Sequence, residues 1–151
     1  MTYSLILAFL LALSFPACAD FSGRVVSVAD GDTVTVLVDH TQIKVRLIEI
    51  DAPEKKQAFG NRSKQALAAM VFGKDVEVEE HGKDRYRRTL GRVAVNGLDA
   101  NTEMVRQGYA WVYRKYSKNP ALLQLEQEAR DAKLGLWVDS DPVPPWGWRH
   151  R

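Results

Sequence analysis

The stretch Lys44-Val45-Arg46-Leu47-Ile48-Glu49-Ile50-Asp51-Ala52-Pro53-Glu54 decides how this chain folds. Its first four residues alternate charged and apolar side chains, which predicts a β-strand with one face in the core. The alternation then fails, because Glu49 and Asp51 continue the apolar face. A regular strand would point Arg46 and Asp51 to opposite sides of the sheet, so we expect a bulge or bend near residues 48–50 to bring them together. On its own, the stretch is equally consistent with a strand end that carries solvated carboxylates.

The other strand and helix patterns predict the fold class. Alternating apolar residues predict strands at 24–28, 33–38, 74–80 and 90–95, with a polar loop at 81–89. Helical spacing predicts helices that begin at Asn61 or Ser63, near Asn101 and at Asn119, and that end at Gly73, Gly108 and Gly135. Five short strands with a helix between the third and fourth predict an α+β fold, a five-stranded Greek-key β-barrel of the OB type with three helices. The proline-rich tail at 139–151 is predicted to be extended.

Residues 1–19 have the pattern of an export signal. The run Leu5 to Leu13 is almost wholly apolar and is shorter than the roughly 20 residues that span a bilayer. Ala17-Cys18-Ala19 matches a small-x-small cleavage site. We therefore expect an exported protein, periplasmic or extracellular, whose mature part is a single domain of residues 20–151. Lipidation of the cysteine is an alternative that the proline and alanine before it disfavour.

Composition excludes several kinds of site. Cys18 is the only cysteine, so a chain cleaved after Ala19 has no disulfide, no thiolate metal site and no cysteine nucleophile. The chain carries 21 basic and 19 acidic residues, a net charge of +2. With so mild a charge, affinity for nucleic acid would depend on local clusters of basic residues.

Three polar clusters are the candidates for chemistry. They are Asp30-Gly31-Asp32-Thr33, the segment from Arg46 to Glu54, and the segment from His81 to Thr89. Each also has an ordinary explanation, as a hairpin turn, a strand end and a solvated loop respectively. The third cluster places a tyrosine among closely spaced cations, a mixture that suits a phosphate chain with bases to stack on.

Taken together, these clusters predict phosphodiester cleavage. Two aspartates from different strands and a backbone carbonyl make an all-oxygen site suited to Ca²⁺. Two guanidinium groups can clamp a phosphate and stabilise the charge that grows on it. A glutamate held by the proline before it can take a proton from an attacking water. The three histidines, His40, His81 and His150, are scattered and are predicted to lie on the surface.

From about residue 22 to residue 137, the chain resembles the thermonuclease family, the staphylococcal-nuclease-like domains. The matching motifs are Asp30-Gly31-Asp32-Thr33-Val34, Val45-Arg46-Leu47 with Asp51-Ala52-Pro53-Glu54, Asp84-Arg85-Tyr86 with Arg88, and Met104-Val105-Arg106-Gln107-Gly108. Each motif is weak alone, but the ordered set is specific.

The resemblance implies a role for each matching position. It implies that Asp32, Asp51 and the Ala52 carbonyl hold Ca²⁺, that Arg46 and Arg88 are catalytic, and that Glu54 is the general base. It implies nucleic-acid contacts at Arg85 and Tyr86, with Arg87 adding one more. It also implies a tyrosine that stacks on a nucleotide, for which Tyr113 is favoured over Tyr116. Arg87 stands where the family usually has glycine, and it would strain the loop if that position requires a positive φ.

The function implied is that of a Ca²⁺-dependent nuclease which cleaves DNA and RNA with low sequence specificity. Water would attack phosphorus and leave 3′-phosphate ends, single strands would be favoured, and the protein would act as a monomer without a protein partner. One alternative is a non-catalytic nucleic-acid-binding module, which would be expected to lack Asp32, Asp51 or Glu54. The other is an exported OB barrel for an oligosaccharide or a protein, which leaves the basic cluster without a purpose.

Overall fold

The computed structural model describes residues 21–151, so the predicted export signal at 1–19 and the domain start at residue 20 lie outside the described residues. Within that range the strands are β1 Phe21–Asp30, β2 Thr33–Val38, β3 Thr41–Leu47, β4 Ile50–Asp51, β5 Asp75–Lys83, β6 Thr89–Val95, β7 Leu98–Asp99 and β8 Trp111–Val112. The α-helices are α1 Gly60–Val71, α2 Ala100–Arg106, α3 Pro120–Asp131 and α4 Pro145–Trp148, and Gly135–Val138 forms a 3₁₀ turn. Among these described helices, none has the length and apolar character needed to cross a membrane.

Five of the strands close into a barrel. Their order is β3-β2-β1-β5-β6, and a parallel pairing of β3 with β6 closes it. The predicted α+β fold with a five-stranded OB-type barrel is therefore confirmed. The three predicted helices are α1, α2 and α3. The tail, predicted to be extended, instead forms the four-residue helix α4.

The barrel is filled by the alternate residues of its strands. Val25, Val34, Val36, Val45, Leu47, Val76, Val78 and Val93 are each at most 2% exposed. Leu67 and Val71 of α1 and Met104 and Val105 of α2 join the same core. Burying each such side chain stabilises the fold by about 1.5–3 kcal/mol before chain entropy is counted. This core gives the residues at the strand ends a rigid support.

The bend expected near residues 48–50 is present. Strand β3 ends at Leu47, Glu49 has a positive φ of 66°, and the short strand β4 follows. The bend is held from several directions, because the Glu49 carbonyl accepts from the Tyr113 amide and its carboxylate pairs with Arg92 and accepts from the Ser117 hydroxyl. Strand β4 then pairs with β8, Asp51 opposite Trp111. The chain therefore crosses from the barrel to a second, two-stranded sheet.

Two predicted boundaries were wrong near the basic cluster and at α1. Strand β5 continues to Lys83, so the loop covers only residues 84–88. Helix α1 begins at Gly60 after a left-handed Phe59 and has no side-chain cap. Ser63, one of the two expected caps, is buried and donates its hydroxyl to the Tyr109 carbonyl over 2.7 Å. Hairpin pairing with β6 extends β5, and a contact with a distant segment takes the Ser63 hydroxyl from the helix start.

Helices α2 and α3 differ from the prediction at single positions. Asp99 rather than Asn101 caps α2, and the buried Asn101 amide bridges the bend and β6 through the carbonyls of Ile48 and Gly91. Asn119 caps α3 as predicted. The left-handed residue directly after the α3 C-cap is Lys133, with φ 52°; the expected Gly135 is also left-handed, with φ 54°, but lies two residues later.

Strand β8 is anchored to α3 by a buried carboxylate. Glu126 is 2% exposed and accepts from the Val112 amide over 2.8 Å. Its charge is balanced by Arg114, at 2.5 Å, and by Arg130, at 3.2 Å, an i,i+4 pair on α3. Because a buried carboxylate is costly without partners, these bonds fix the segment that leads into Tyr113.

Candidate active site

A buried guanidinium joins two aspartates from different strands. Arg46, on β3, places Nε 3.3 Å from Asp32 Oδ1 and Nη2 3.1 Å from Asp51 Oδ1. Its Nη1 donates to the carbonyls of Leu47 and Ile50 at 2.5 and 3.0 Å. The three charged side chains are each at most 12% exposed. The bend between β3 and β4 thus brings Arg46 and Asp51 to the same side, as the sequence predicted.

The Asp32 carboxylate is also held by a backbone amide and by the hydroxyl of its neighbour. Its Oδ2 accepts from the Ala52 amide over 2.8 Å, and its Oδ1 accepts from the Thr33 hydroxyl over 3.0 Å. A Cβ at Gly31 would lie 2.7 Å from the Cβ atoms of both Ala52 and Ser63, so a side chain at that position would clash. The Asp-Gly turn is thus required by a close approach to the Asp51–Ala52 segment.

Asp30 also belongs to this cluster, although the sequence assigned it no role. Its Oδ1 accepts from the Asp32 amide over 3.1 Å. Burial, followed by the neighbouring charge of Asp32, raises the pKa of Asp30 to about 7. Burial also raises the pKa of Asp51, against the hydrogen bond from Arg149. The carboxyl groups of residues 30, 32 and 51 therefore lie close together in a poorly solvated region, where their negative charges repel one another.

The donor set fits a hard cation such as Ca²⁺. The candidate ligands are the Asp32 and Asp51 carboxylates with the Ala52 carbonyl, all oxygen donors. In residues 21–151, no group of three or more histidine, cysteine, aspartate or glutamate side chains is arranged to hold a metal ion. Protein carboxylates would therefore supply only part of the shell, with the carbonyl and water completing it, as Ca²⁺ commonly accepts. A cation would also relieve the repulsion among the buried carboxylates.

Glu54 follows this cluster in a rigid turn. Its amide donates to Gln57 Oε1 over 3.0 Å, and its carbonyl accepts from the Gln57 amide over 2.8 Å. A Cβ at Gly60 would come within 2.0 Å of the Glu54 carbonyl oxygen, so the turn packs directly against the start of α1. The Glu54 carboxylate is 36% exposed and reaches the same guanidinium as Asp51, that of Arg149. The structure therefore brings Asp32, Arg46, Asp51 and Glu54 together.

Arg149, which the sequence did not single out, enters this cluster from the tail. Its Nη2 lies 2.7 Å from Asp51 Oδ2, and its Nη1 lies 2.6 Å from Glu54 Oε1. The hydrogen bonds that Arg149 donates, first to Asp51 and then to Glu54, raise the pKa of Arg149 above its usual value. The guanidinium also lies 5.9 Å from the centre of the Tyr113 ring.

The loop at residues 84–88 carries the other predicted arginines. Arg88 Nε donates to Asp84 Oδ2 over 2.7 Å, so Arg88 pairs with its own loop rather than with Asp32 or Asp51. The guanidinium groups of Arg85 and Arg88 lie 4.8 and 5.5 Å from the centre of the Tyr86 ring. The parallel pairing of β3 with β6 sets Arg46 opposite Leu90. Arg88 therefore stands two residues before the β6 partner of Arg46.

Tyr113, the predicted stacking residue, faces the tail. Its ring is parallel to that of Trp146, with centroids 5.5 Å apart and an angle of 4° between the planes. Tyr116 meets it edge-on at 4.8 Å. Tyr86 is 64% exposed in the loop at residues 84–88, and half-buried Tyr113 lies beside Arg149. His40, His81 and His150 are exposed, as predicted.

Comparison with known proteins assigns the family. The family model described as staphylococcal nuclease homologue matches residues 44–139, more than half of the chain. The chain belongs to the staphylococcal nuclease family. It is 51% identical over 144 residues to an Escherichia coli protein named uncharacterized endonuclease, with 94% of each chain covered. It is 46% identical over 153 residues to a micrococcal nuclease of Shigella flexneri, with 94% of this chain and 88% of that one covered.

Arg87 is the main departure from the staphylococcal nuclease pattern. It occupies the position at which the family usually has glycine, and its φ is 64°. The left-handed region costs a residue with a Cβ roughly 1–2 kcal/mol, which glycine avoids. The turn is nevertheless closed, because the Arg87 amide donates to the Asp84 carbonyl and the Asp84 amide donates to the Arg88 carbonyl. The loop therefore closes around a residue whose left-handed backbone carries strain.

We expect Arg87→Gly to stabilise the protein by about 0.5–1 kcal/mol, the strain released less the added entropy of glycine in the unfolded chain. Urea unfolding monitored by circular dichroism measures the change. Arg85→Gly is the matched control in the same loop, because Arg85 is not among the residues with positive φ. It should destabilise the protein slightly. Equal effects from the two variants would show that the left-handed backbone at residue 87 carries no strain.

Proposed function

We propose that this protein is an exported, Ca²⁺-dependent nuclease that cleaves DNA and RNA with low sequence specificity. Membership of the staphylococcal nuclease family supports hydrolysis of nucleic acid. The relatives named as an endonuclease and as a micrococcal nuclease, each similar over almost the whole chain, support it further. Export is supported by the sequence pattern of residues 1–19.

One observation carries the proposal. A buried guanidinium, that of Arg46, binds Asp32 and Asp51 at 3.3 and 3.1 Å, and Glu54 stands three residues beyond Asp51 in a rigid turn. The two aspartates with the Ala52 carbonyl are the oxygen donors that Ca²⁺ prefers. The bound ion would polarise a phosphate oxygen and offset its negative charge.

Glu54, Arg46 and Arg88 have separate roles in the hydrolysis. Glu54 takes a proton from water, whose oxygen forms a bond to phosphorus. Arg46 and Arg88 donate hydrogen bonds to the non-bridging phosphate oxygens, where charge increases in the transition state. The bond between phosphorus and the 5′ oxygen breaks, and that oxygen takes up a proton from solvent. The products carry a 3′-phosphate and a free 5′-hydroxyl.

During this reaction Arg88 exchanges its ion pair with Asp84 for one with the substrate phosphate. In the structure it is paired with Asp84, and both side chains remain partly exposed, at 28% and 17%. A substrate phosphate is an anionic acceptor like the Asp84 carboxylate. Arg88 can therefore leave Asp84 for the phosphate and remain in an ion pair. Asp84 thereby orients Arg88 before the substrate arrives.

The aromatic groups beside the site favour single-stranded substrates. Tyr86 is exposed between Arg85 and Arg88, and Tyr113 stands near Glu54 through Arg149. Rings interleaved with cations bind a phosphate chain and stack on any base, which gives affinity without sequence preference. Arg87 adds a further cation to the same loop. A base in a duplex is already stacked on its neighbours, so an unpaired strand fits better.

Digestion of single-stranded DNA with Ca²⁺ or with a chelator tests the proposal. We expect cleavage only with Ca²⁺ and products that end in 3′-phosphate. Asp51→Asn should raise the Ca²⁺ concentration for half-maximal cleavage roughly tenfold or more, since it removes one of the charges that set affinity. Equal cleavage with chelator would refute the dependence on Ca²⁺. Tight binding without cleavage would instead indicate a non-catalytic nucleic-acid-binding module.

A further inference from the structure

The segment from Val143 to Arg149 packs against the candidate active site. The Val143 carbonyl accepts from Gln57 Nε2 over 2.6 Å, which ties the tail to the turn that carries Glu54. Trp146 lies flat against Tyr113 and meets Trp111 edge-on at 5.6 Å. Trp146 lies in helix α4, and the Arg149 amide after that helix donates to the Pro145 carbonyl over 3.0 Å. These contacts set the direction from which Arg149 enters the site.

The Arg149 guanidinium donates hydrogen bonds to the carboxylates of Asp51 and Glu54. Its Nη1 lies 3.2 Å from Asp51 Oδ1 and 2.6 Å from Glu54 Oε1, and its Nη2 lies 2.7 Å from Asp51 Oδ2. Asp51 Oδ1 accepts from Arg46 as well. Both oxygens of a carboxylate that is 1% exposed are therefore already engaged.

A divalent ion and this guanidinium compete for the same acceptors. Coordination of Ca²⁺ by Asp51 needs an oxygen to which Arg149 now donates. Two positive charges within a few ångströms of each other also repel strongly where solvent is scarce. Arg46 is held by two backbone carbonyls as well as by carboxylates. The Arg149 guanidinium is more exposed, at 36%, and donates to the two carboxylates and the Tyr113 hydroxyl, so it is the group that can leave.

We propose that Arg149 is an internal cation that closes the ion site, and that Ca²⁺ binds only as this guanidinium leaves Asp51 and Glu54. The inference rests on the proposed function. Without the ion, Arg149 balances the charge of the two carboxylates and covers the general base. With the ion, Glu54 is released to meet water. The tail thus couples occupation of the ion site to exposure of the catalytic carboxylate.

Calorimetric titration of Ca²⁺ into the wild type and Arg149→Gln tests this competition without measuring activity. We expect Arg149→Gln to bind Ca²⁺ roughly tenfold more tightly or better, because the ion no longer displaces a charge-assisted pair. Arg149→Lys keeps the charge but loses the two-pronged contact, so its affinity should lie between the two. Arg151→Gln is the matched control in the same tail, since its guanidinium lies over the Trp148 ring instead. It should bind as the wild type does.

Thermal unfolding gives a second, independent readout. Without Ca²⁺, Arg149→Gln should unfold at a lower temperature than the wild type, because Asp51 and Glu54 lose a counter-charge. With saturating Ca²⁺ that difference should shrink, since the wild type has given up the same contact. Equal losses with and without Ca²⁺ would mean a structural role only and would overturn the inference.

The outcomes separate this inference from the proposed function. Equal or weaker Ca²⁺ binding by Arg149→Gln, with the wild type binding normally, overturns the competition and leaves the nuclease proposal intact. No binding of Ca²⁺ by the wild type, Arg149→Gln or Arg149→Lys overturns both.

Discussion

Replacing Glu54 by glutamine is expected to lower the rate of phosphodiester cleavage by roughly 10²–10⁴, the usual contribution of a positioned general base. The amide cannot accept a proton from the attacking water. Stability should change by no more than about 0.5 kcal/mol, as for most partly exposed positions. The glutamine oxygen can still accept from Arg149, and the turn is held by backbone bonds to Gln57. Cleavage of single-stranded DNA at saturating Ca²⁺, with kcat and KM separated, measures the effect.

Glu128→Gln is the control for this prediction. Glu128 lies on the exposed face of α3, where it accepts from Gln124 at 3.0 Å, so its loss should leave the rate unchanged. The effect of Glu54→Gln should lie in kcat, because the base acts in the chemical step. A Glu54→Gln protein that cleaves within threefold of the wild type would remove Glu54 from the mechanism, even if the ion and the arginines keep their roles.

The barrel was predictable because its signals are local. Alternating valines mark β2 and β6, and a proline after an asparagine marks the start of α3. The bend before Asp51 could also be read from the sequence, since apolar and charged residues exchange faces there. A one-residue change of register is visible whenever one face of a strand is buried. The convergence of Arg46 and Asp51 followed from that bend, whereas Asp32 and Glu54 were assigned to the same site through the resemblance to the family.

Contacts between distant residues could not be predicted in this way. Arg149 meets Asp51 across 98 positions of the sequence and Gln57 meets Val143 across 86. Nothing near Arg149 distinguishes it from an ordinary basic terminus; only the tryptophans before it indicate that the tail packs. Ser63 and Asn101 resemble helix caps locally, but each is buried and bonds to another segment. Asp30 stands in the predicted motif, and only burial reveals its raised pKa.

Replacing Arg46 by lysine is expected to lower kcat by roughly 10²–10³, the scale of losing one transition-state donor. Arg46 uses a planar fork to bind Asp32, Asp51 and two carbonyls at once. An ammonium keeps the charge but cannot reproduce that geometry, so it cannot hold the two aspartates and face a phosphate together. We also expect a loss of stability of about 1–3 kcal/mol, because the Leu47 and Ile50 carbonyls lose a donor. Single-turnover cleavage, alongside urea unfolding, separates the two effects.

Arg24→Lys is the matched control for Arg46→Lys. Arg24 pairs with Asp75 at 3.5 Å on the surface, where the side chains are 62% and 78% exposed, so the same substitution should change neither rate nor stability measurably. If Arg46→Lys loses stability but cleaves at the wild-type rate under conditions where it is fully folded, Arg46 only supports the two aspartates. A loss of kcat with Ca²⁺ affinity unchanged would instead place its guanidinium on the phosphate, because a purely structural arginine would affect the ion site first.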